Sequence, residues 1–477
     1  MNALMLYMIH ACVLIIAALA MQFLGRSASR TAAVPVNWAK PIALGLALVT
    51  FAISEPQDWP FQDFTDAYYE GGKAALEGRE QVVSLLDEGV HGFVNLPVVP
   101  FLSAASPVLP PEIAAALFFI LGVASTVLAF AMMVRLAGLR ASAPIALGLM
   151  FSVNGPLMNS LREGNTTHFA LLSVALALVL MRSRRDALAG SLLGLAALLE
   201  PHLLLLGVYF LLRRRYACAF AGALVIAAAG AVSLLLFGWD AHVTWYLNAV
   251  AKAGKEPLAA FNVQSLAAWV ARLELGSDYL TEWRGEPLSR DGFVVVHAMS
   301  ALLFITIAGA CAGAAGSPAR SRRGAVVPGA SHNALSATEW EVMLVLVLAC
   351  ITSPLAWSHY YALMLLPFAY LLAPGGVLEC GSRALRWSAW ASVLLVSLPV
   401  VFPPQRAMAE GLLSGIYLVA VSHYLYGGLI LLAVLIHVRV GVRAGSDATP
   451  LAAMGPGRRE RLDRQEARVS VRRRADR

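Results

Sequence analysis

Long apolar stretches alternate with short polar segments along most of the chain. Several of them, such as Leu4–Leu24, Glu112–Val134 and Tyr216–Gly238, are long enough to cross a bilayer as helices, since an α-helix rises about 1.5 Å per residue. Shorter stretches would have to tilt or be covered by neighbouring helices. The pattern therefore predicts an all-α polytopic membrane protein, a bundle of roughly 11 to 13 transmembrane helices with large outer loops.

Each apolar stretch is predicted either to span the membrane or to form one half of a helical hairpin. Two of them are too short to span and are hinged at Glu200-Pro201, which predicts a helical hairpin that dips in from the cytoplasm. In chain order the stretches are Leu4–Leu24, Pro41–Ile53, Glu112–Val134, Ala143–Asn159, Phe169–Met181, Leu188–Leu199, His202–Leu212, Tyr216–Gly238, Gly292–Gly316, Trp340–Trp357, Tyr360–Ala373, Trp387–Phe402 and Leu412–Val438.

Basic residues mark one side of the membrane. The segments RSRRD, after Met181, and PARSRR, after Gly316, are Arg-rich and predict the cytoplasmic side. Segment 54–111 holds many acidic residues but only Lys73 and Arg79 as bases, which predicts the outer side. We therefore predict a transmembrane domain over 1–438, with outer loops at 54–111 and 239–291, and a basic, disordered cytoplasmic tail over 439–477.

Composition narrows the class of protein. Hydrophobic residues make up 59% of the chain, charged residues make up 14%, and the mean hydropathy is +0.69, which excludes an ordinary soluble domain. The net charge is +7, but the Arg residues lie in inter-span segments and in the tail. The positive charge is thus explained as a topology signal and by attraction to anionic lipids, so we expect membrane lipids as partners. We exclude a nucleic-acid partner.

The most polar and aromatic passage is WPFQDFTDAYYEGGKAALEGRE, residues 59–80. A helical turn there would place Asp63 and Asp66 on one face, beside Tyr68 and Tyr69, whose rings can stack on a sugar. The alternative is that these Asp residues form a turn or cap a helix. Local sequence leaves both interpretations open.

Other polar patches fall on the same predicted outer side. They are the Arg162–Asn165 corner, the segment Phe261–Leu266 and the segment Ser353–Tyr361. A base, amide groups, aromatic faces and cations together are what a sugar transfer at a membrane surface needs. Taken singly, His359 would be a structural histidine and Asn262 or Gln264 a cap, so only the predicted convergence favours a functional site.

Six segments follow one another in a characteristic order between Asp58 and Leu372. They are DFTDAYYEGGKAALEG, LPVVPFLSAASPVLP, LREGNTTHFALL, LLGLAALLEPHLLLLGVYFLLRRRY, FNVQSLAAWVARL and TSPLAWSHYYALMLLPFAYLL. Their order resembles the family 87 glycosyltransferases of the GT-C superfold, which include polyprenyl-phosphate-mannose-dependent mannosyltransferases and related arabinofuranosyltransferases. The resemblance covers most of the chain.

The resemblance implies inverting transfer of a sugar, mannose first and arabinofuranose second, from a polyprenyl-phosphate donor to a lipid-linked or cell-envelope glycan acceptor. Asp63 matches the family's first-loop aspartate and would be the general base. His359 lies in the family's Ser-Pro-x-x-Trp-x-His pattern and would contact the donor phosphate or the acceptor, while Arg272 would offset the phosphate charge. The expected substrate-binding residues are Asp66, Tyr68, Tyr69, Asn165, Asn262, Gln264, Arg272, Trp357, His359 and Tyr360.

Two positions depart from the family's usual pattern. Gly164-Asn165 stands where the family usually has Gly-Gln, and Glu200-Pro201 stands where it commonly has Lys-Pro. The second change reverses a charge, so it bears on which lipid-linked substrates the chain handles. The expected site is on the outer face of the plasma membrane. Asp63 and Asp66 could hold a divalent cation with the donor phosphate. No cofactor or divalent metal is expected, because a lipid monophosphate needs less charge neutralisation than a nucleotide diphosphate.

Other functions remain open from sequence alone. A lipid or sugar transporter would place ionisable residues or broken helices at mid-membrane, and Glu200-Pro201 is the candidate for this. A polymerase or ligase of lipid-linked glycans would keep a similar site, and a non-catalytic scaffold would not depend on Asp63.

Overall fold

The computed structural model describes residues 61–89, 93–140, 142–312, 337–399 and 412–447. Within these ranges the chain forms helices, and the β-structure consists of two isolated bridges, Leu258 to Gly285 and Val263 to Trp357. The all-α prediction is thus confirmed for this part of the chain. The predicted spans Leu4–Leu24 and Pro41–Ile53 lie outside the described residues.

The α-helices are named here in chain order. They are α1 (Glu70–Glu77), α2 (Arg79–Asp87), α3 (Val98–Ser103), α4 (Pro111–Leu136), α5 (Ala143–Ser152), α6 (Gly155–Glu163), α7 (Thr167–Arg182), α8 (Asp186–Leu199), α9 (Leu204–Leu212), α10 (Tyr216–Trp245), α11 (Lys252–Lys255), α12 (Leu266–Leu275), α13 (Arg290–Ala312), α14 (Ala337–Thr352), α15 (Leu365–Leu371), α16 (Val377–Cys380), α17 (Arg383–Ser397), α18 (Leu412–Ala420) and α19 (His423–Asp447). Tighter or wider turns are Phe64–Tyr69, Ser106–Val108, Pro201–Leu203, Tyr246–Ala251, Ser277–Thr281 and Ser358–Met364.

Several of these helices have the length and composition of membrane spans. Four qualify among the described residues: α4, Tyr216–Lys255, α13, and His423–Val440 within α19. A fifth candidate is the pair α6 and α7, which meets at an angle of 119°. Lipid-facing surface is clearest on α13, where Leu302 is 64% and Ile305 is 70% exposed. The chain is therefore a membrane protein.

Some predicted continuous stretches are broken. The stretch Ala143–Asn159 divides into α5 and α6, because Asn154 leaves helical geometry with ψ 103° and caps α6, its side chain accepting from the Leu157 backbone N–H at 2.9 Å. Gly155-Pro156 follows, and proline is favoured in the first turn of a helix. Apolar content alone does not reveal such breaks.

The end of the last helix differs from the predicted domain boundary. Helix α19 continues beyond Val438 to Asp447, so residues 439–447 of the predicted tail are helical. Arg439 is buried and donates to the Glu341 carboxylate at 2.8 Å, while Arg213 approaches the same carboxylate at 2.9 Å. An ion cluster thus joins the ends of α9, α14 and α19. The rest of the predicted tail, 448–477, lies outside the described residues.

A small hydrophobic cluster fixes the first outer segment on the bundle. Phe64, Val82 and Leu86 are buried and pack with Phe93 and with Phe237 of α10. These contacts hold the turn that carries Asp63 against the ends of α4, α8 and α10.

Helices α8 and α10 make close contact through small residues. A Cβ atom on Gly190 would lie 2.0 Å from the Cys218 carbonyl oxygen, and one on Gly194 would lie 2.7 Å from the Gly222 carbonyl oxygen. Small residues spaced four apart on both helices allow this approach of the two backbones.

We predict that Gly190→Ala destabilises the protein, since the added methyl group meets backbone that cannot move aside; the cost should be about 1–3 kcal/mol. Gly207→Ala is the matched control, because a Cβ at Gly207 in α9 would meet nothing within 4 Å. It should be neutral or slightly stabilising, as alanine favours helix. Thermal unfolding of both variants in lipid nanodiscs measures the difference, and equal midpoints would contradict the close contact.

Candidate functional site

A cavity of about 380 Å³ opens where several polar segments meet. Its walls come from the turn before α1, the corner between α6 and α7, the end of α8, the loop before α12 and the turn after α14. The lining residues are Gln62, Asp63, Asp66, Ala67, Tyr68, Val94, Asn95, Asn159, Glu163, Asn165, Thr166, Leu199, Glu200, Asn262, Trp283, Trp357, Ser358, His359 and Tyr360.

The backbone around Asp63 is fixed by the corner between α6 and α7. The Phe61 backbone N–H donates to the Arg162 carbonyl at 2.7 Å, although Phe61 has a positive φ of 67°. Phe64 follows and is buried. The Asp63 carboxylate is therefore held at the cavity edge, partly buried, by contacts that its own segment does not supply.

The corner itself depends on one glycine. Helix α6 ends at Gly164, which has a left-handed conformation with φ 73° and ψ 36°. A Cβ atom there would lie 2.6 Å from the Phe64 Cβ. Glycine thus allows both the sharp change of direction and the close approach of the Asp63 turn.

Asn165, the next residue, connects the Asp63 turn with the His359 turn. Its Nδ2 donates to Asp63 Oδ2 at 3.1 Å and lies 2.6 Å from His359 Nδ1. Its Oδ1 accepts from the Ser160 hydroxyl at 3.0 Å. This pairing orients the amide, since the nitrogen must face the carboxylate. His359 then accepts at Nδ1 and carries its proton on Nε2.

The following residues hold a second carboxyl group at the cavity floor. Glu200, which is 2% exposed, accepts from the Thr167 hydroxyl at 2.5 Å and from the Thr166 hydroxyl at 3.4 Å. Thr166 also lies 3.3 Å from the Tyr68 hydroxyl. Glu200 lies between α8 and the following turn, outside the candidate spans. Consecutive residues of one corner therefore organise both acidic groups.

Asp63, Glu200 and His359 differ in protonation state, because their surroundings shift their pKa values by different amounts. Burial raises the pKa of Asp63 to about 6; the Asn165 hydrogen bond opposes this shift, and the Asp66 charge adds to it. Burial raises the pKa of Glu200 to about 8 and lowers that of His359 to about 3. Near neutral pH the cavity thus presents an ionised Asp63, a protonated Glu200 and a neutral imidazole. An ionised carboxylate in this setting can accept a proton from a hydroxyl group.

Most of the site residues predicted from sequence line the cavity together. They are Asp63, Asp66, Tyr68, Asn165, Asn262, Trp357, His359 and Tyr360. Ser358 joins Asn262 to this wall, since its backbone N–H donates to the Asn262 carbonyl at 2.7 Å.

Three predicted residues lie outside the lining, because their polar atoms bond to backbone. Tyr69 donates its hydroxyl to the Leu109 carbonyl at 3.0 Å. Gln264 is fully buried and donates to the Phe261 and Val421 carbonyls at 2.8 and 2.7 Å.

Arg272, the third, is also fully buried, and its guanidinium donates to the Ala260 and Val263 carbonyls at 2.8 and 2.7 Å. It stabilises the loop before α12, and the expectation that it lines the cavity is wrong.

Sequence reasoning missed other lining residues. Asn159 and Thr166 flank the Arg162–Asn165 corner, and their position beside this polar segment is a signal that could have found them. Asn159 donates to the Ser358 hydroxyl at 3.1 Å. Trp283, in the second outer loop, carries no sequence signal for this role.

The charge balance of the cavity is acidic. Its described lining contains the carboxyl groups of Asp63, Asp66, Glu163 and Glu200, and neither Lys nor Arg is among the described lining residues. The neutral His359 imidazole is a hydrogen-bond donor that these walls offer to an anion, whereas the Tyr360 hydroxyl is bonded to Glu200. Across the described residues, no group of three or more His, Cys, Asp or Glu side chains could hold a metal ion.

Comparison with known proteins gives one match. A family model described as glycosyltransferase family 87 matches residues 93–354, more than half of the chain. The matched range includes the α6–α7 corner, Glu200 and Asn262, whereas Asp63 lies 30 residues before its start and His359 lies five residues after its end. Comparisons with curated proteins and with solved structures each found no match.

We predict that Gly164→Ala disrupts the corner, because it adds both left-handed strain and a clash with Phe64. The matched control is Gly375→Ala, since Gly375 has φ 72° but a Cβ there would meet nothing within 4 Å. The control should cost about 1 kcal/mol of stability, and Gly164→Ala should cost clearly more. Thermal unfolding of the two variants tests this; similar midpoints would show that the Phe64 contact is not rigid.

Proposed function

The chain belongs to glycosyltransferase family 87, and we propose that it moves one sugar from a polyprenyl-phosphate donor to a hydroxyl group of a lipid-linked or cell-envelope glycan acceptor, with inversion at the anomeric carbon. Family membership and the apolar helices together make it a membrane glycosyltransferase. The observation that carries the finer proposal is the Asp63 carboxylate, held by Asn165 beside a neutral His359 in one cavity.

Asp63 acts in this proposal as the general base. The acceptor hydroxyl oxygen attacks the anomeric carbon while its proton passes to the Asp63 carboxylate. The new carbon–oxygen bond forms as the bond from the anomeric carbon to the phosphate oxygen breaks, and polyprenyl phosphate leaves with the electron pair. A single displacement of this kind inverts the anomeric configuration. A pKa of about 6 leaves Asp63 mostly ionised near neutral pH and still basic enough to accept the proton.

His359 is proposed to meet the leaving phosphate. Because its Nδ1 faces the Asn165 amide, its Nε2–H is the donor left for a substrate. Charge-assisted hydrogen bonds to phosphate oxygens are stronger than neutral ones. Tyr360, Asn262 and the Trp283 and Trp357 rings would contact the rest of the substrates, the aromatic faces suiting a sugar ring. Arg272 has no part in this mechanism, since it is fully buried outside the cavity lining, with its Nη1 bonded to backbone carbonyls and its Nε to Ser422.

Glu200 gives this cavity a neutral acid where a cation would otherwise help to bind a phosphate. The protonated Glu200 carboxyl is better suited to contact a hydroxyl group of the donor or the acceptor than to contact two oxygens of an ionised phosphate. We propose mannose as the first candidate sugar and arabinofuranose as the second. We also propose that transfer needs no divalent cation, because the leaving group is a lipid monophosphate.

The proposed location is the plasma membrane, with the cavity on its outer face. The acidic segment around Asp63 and the Arg-rich segments between the spans support this orientation. Together with the stretches before residue 61, the described spans and shorter apolar helices would form a GT-C-like bundle of roughly 11 to 13 transmembrane helices.

We predict that Asp63→Asn lowers sugar transfer about a thousandfold or more, because the base is lost while the side-chain shape is kept. The assay uses the full chain in nanodiscs with polyprenyl-phosphate mannose, polyprenyl-phosphate arabinofuranose and a pool of glycolipid acceptors. Asp66→Asn is the control: Asp66 is exposed at the same cavity and should affect transfer far less. A greater loss in Asp66→Asn would move the base there. If sugar is transferred from neither donor, the result would favour a transporter as the function of this chain. Products extended processively by several sugars would favour a polymerase.

The pH dependence of transfer provides a separate prediction. Because the base must be ionised and its pKa is raised to about 6, kcat/KM should fall as the pH drops through about 6. Rate measurements between about pH 3 and 8 locate this limb. A limb near the ordinary aspartate value of 3.8 would show that Asp63 is not held in these surroundings during catalysis.

A further inference from the structure

Asn165 uses its whole side chain on protein partners. The residue is 3% exposed, although its position lines the cavity. Its amide nitrogen has two hydrogens and two partners, Asp63 Oδ2 at 3.1 Å and His359 Nδ1 at 2.6 Å. Its oxygen accepts from Ser160 at 3.0 Å. A residue bonded in this way has no amide hydrogen left for a substrate.

The contacts form a chain of donors that runs toward Asp63. Ser160 has one hydroxyl hydrogen, which it donates to Asn165 Oδ1, so His168 Nδ1, 3.0 Å from the same hydroxyl, must be a donor to it. The Asn165 amide is thereby fixed with its nitrogen toward Asp63. Rotation of the amide would turn its oxygen toward the carboxylate and leave both acceptors unpaired.

We propose that Asn165 is a positioning residue that fixes the geometry of Asp63 and the tautomer of His359 through one amide nitrogen, without contacting the substrate. The proposal rests on the proposed function, in which Asp63 is the base and His359 donates from Nε2. It replaces the expectation from sequence that Asn165 binds substrate.

The arrangement couples the two groups electrostatically. Donation to the carboxylate favours its ionised form. Donation to His359 Nδ1 favours neutral imidazole with the proton on Nε2, since a protonated ring would place two donors opposite each other. The Asn165 amide thus favours the ionised form of Asp63, which takes up the proton of the attacking hydroxyl group. It also favours the His359 tautomer whose Nε2–H faces the phosphate.

Other ionisable groups also face Asp63. Asp66 belongs to the same turn, and Tyr68, Glu163, Glu200 and His359 line the same cavity. His168 lies behind Asn165, next to Ser160. Glu200 titrates in a neighbouring range, so a test must separate it from Asp63. Measurements in an Asp63→Asn background do so, because Glu200 is retained there.

The first test is the pH profile of transfer. In Asn165→Leu the acidic limb of kcat/KM should move up by about one to two pH units, the value of a hydrogen bond to a charged group. Asn165→Asp, which keeps the shape, should move it further, because two carboxylates at this distance resist joint ionisation. Ser160→Ala should give a smaller shift in the same direction. A raised KM with an unmoved limb would overturn the proposal and restore a substrate contact.

The second test needs no enzymatic activity, so it stands even if the donor or the reaction is different. Thermal unfolding is measured at about pH 5 and about pH 8 for wild type, Asn165→Leu, Asp63→Asn and the double variant. Asn165→Leu should lower the midpoint more at the higher pH, where Asp63 is ionised, and this difference should vanish in the Asp63→Asn background. Equal losses in both backgrounds at both pH values would refute the coupling. Ser160→Ala, which removes the bond that orients the amide and adds no ionisable group, serves in the same cycle if Asn165→Leu does not fold.

Discussion

The corner between α6 and α7 is the constraint on which the cavity depends. Its backbone turns through Gly164, and the three residues that follow donate hydrogen bonds to Asp63, His359 and Glu200. Asp63, His359 and Glu200 belong to different segments of the chain, and all three are hydrogen-bonded to this corner. Because buried polar groups are costly when unpaired, this small set of bonds fixes the relative positions of elements that also pack through shared hydrophobic clusters.

The site places two carboxyl groups in one cavity and gives them different protonation states. Asp63 is partly buried and receives a hydrogen bond, whereas Glu200 is almost completely buried and receives its bonds from hydroxyl groups. Burial penalises charge in both cases, and the donors decide how far each group departs from its ordinary pKa. The chain has few charged residues, and this difference in protonation state provides an ionised carboxylate as a base that does not depend on nearby cations.

The frame around the site uses two kinds of contact. Helices α8 and α10 approach through small residues, where dispersion contacts act between backbones. The ends of α9, α14 and α19 are instead joined by the cluster of Glu341 with Arg213 and Arg439. Glu341 is fully buried, so its charge requires both arginines and the Tyr209 hydroxyl, which donates at 2.8 Å. Removing one partner from such a cluster costs far more than removing a surface ion pair.

The sequence by itself determined the membrane class, the helical content and which polar segments are out of place in an apolar chain. These follow from local composition and periodicity, whereas Asp63, Asn165 and His359 became candidates through the predicted convergence of polar segments and the family resemblance. Tertiary structure decided what each polar side chain bonds to. Asn165 lies 102 residues from Asp63 and 194 from His359, and no local pattern specifies such pairs. For the same reason Arg272 and Gln264 look like site residues in sequence, yet backbone carbonyls take up their hydrogen bonds, while Trp283 reaches the cavity without any local signal.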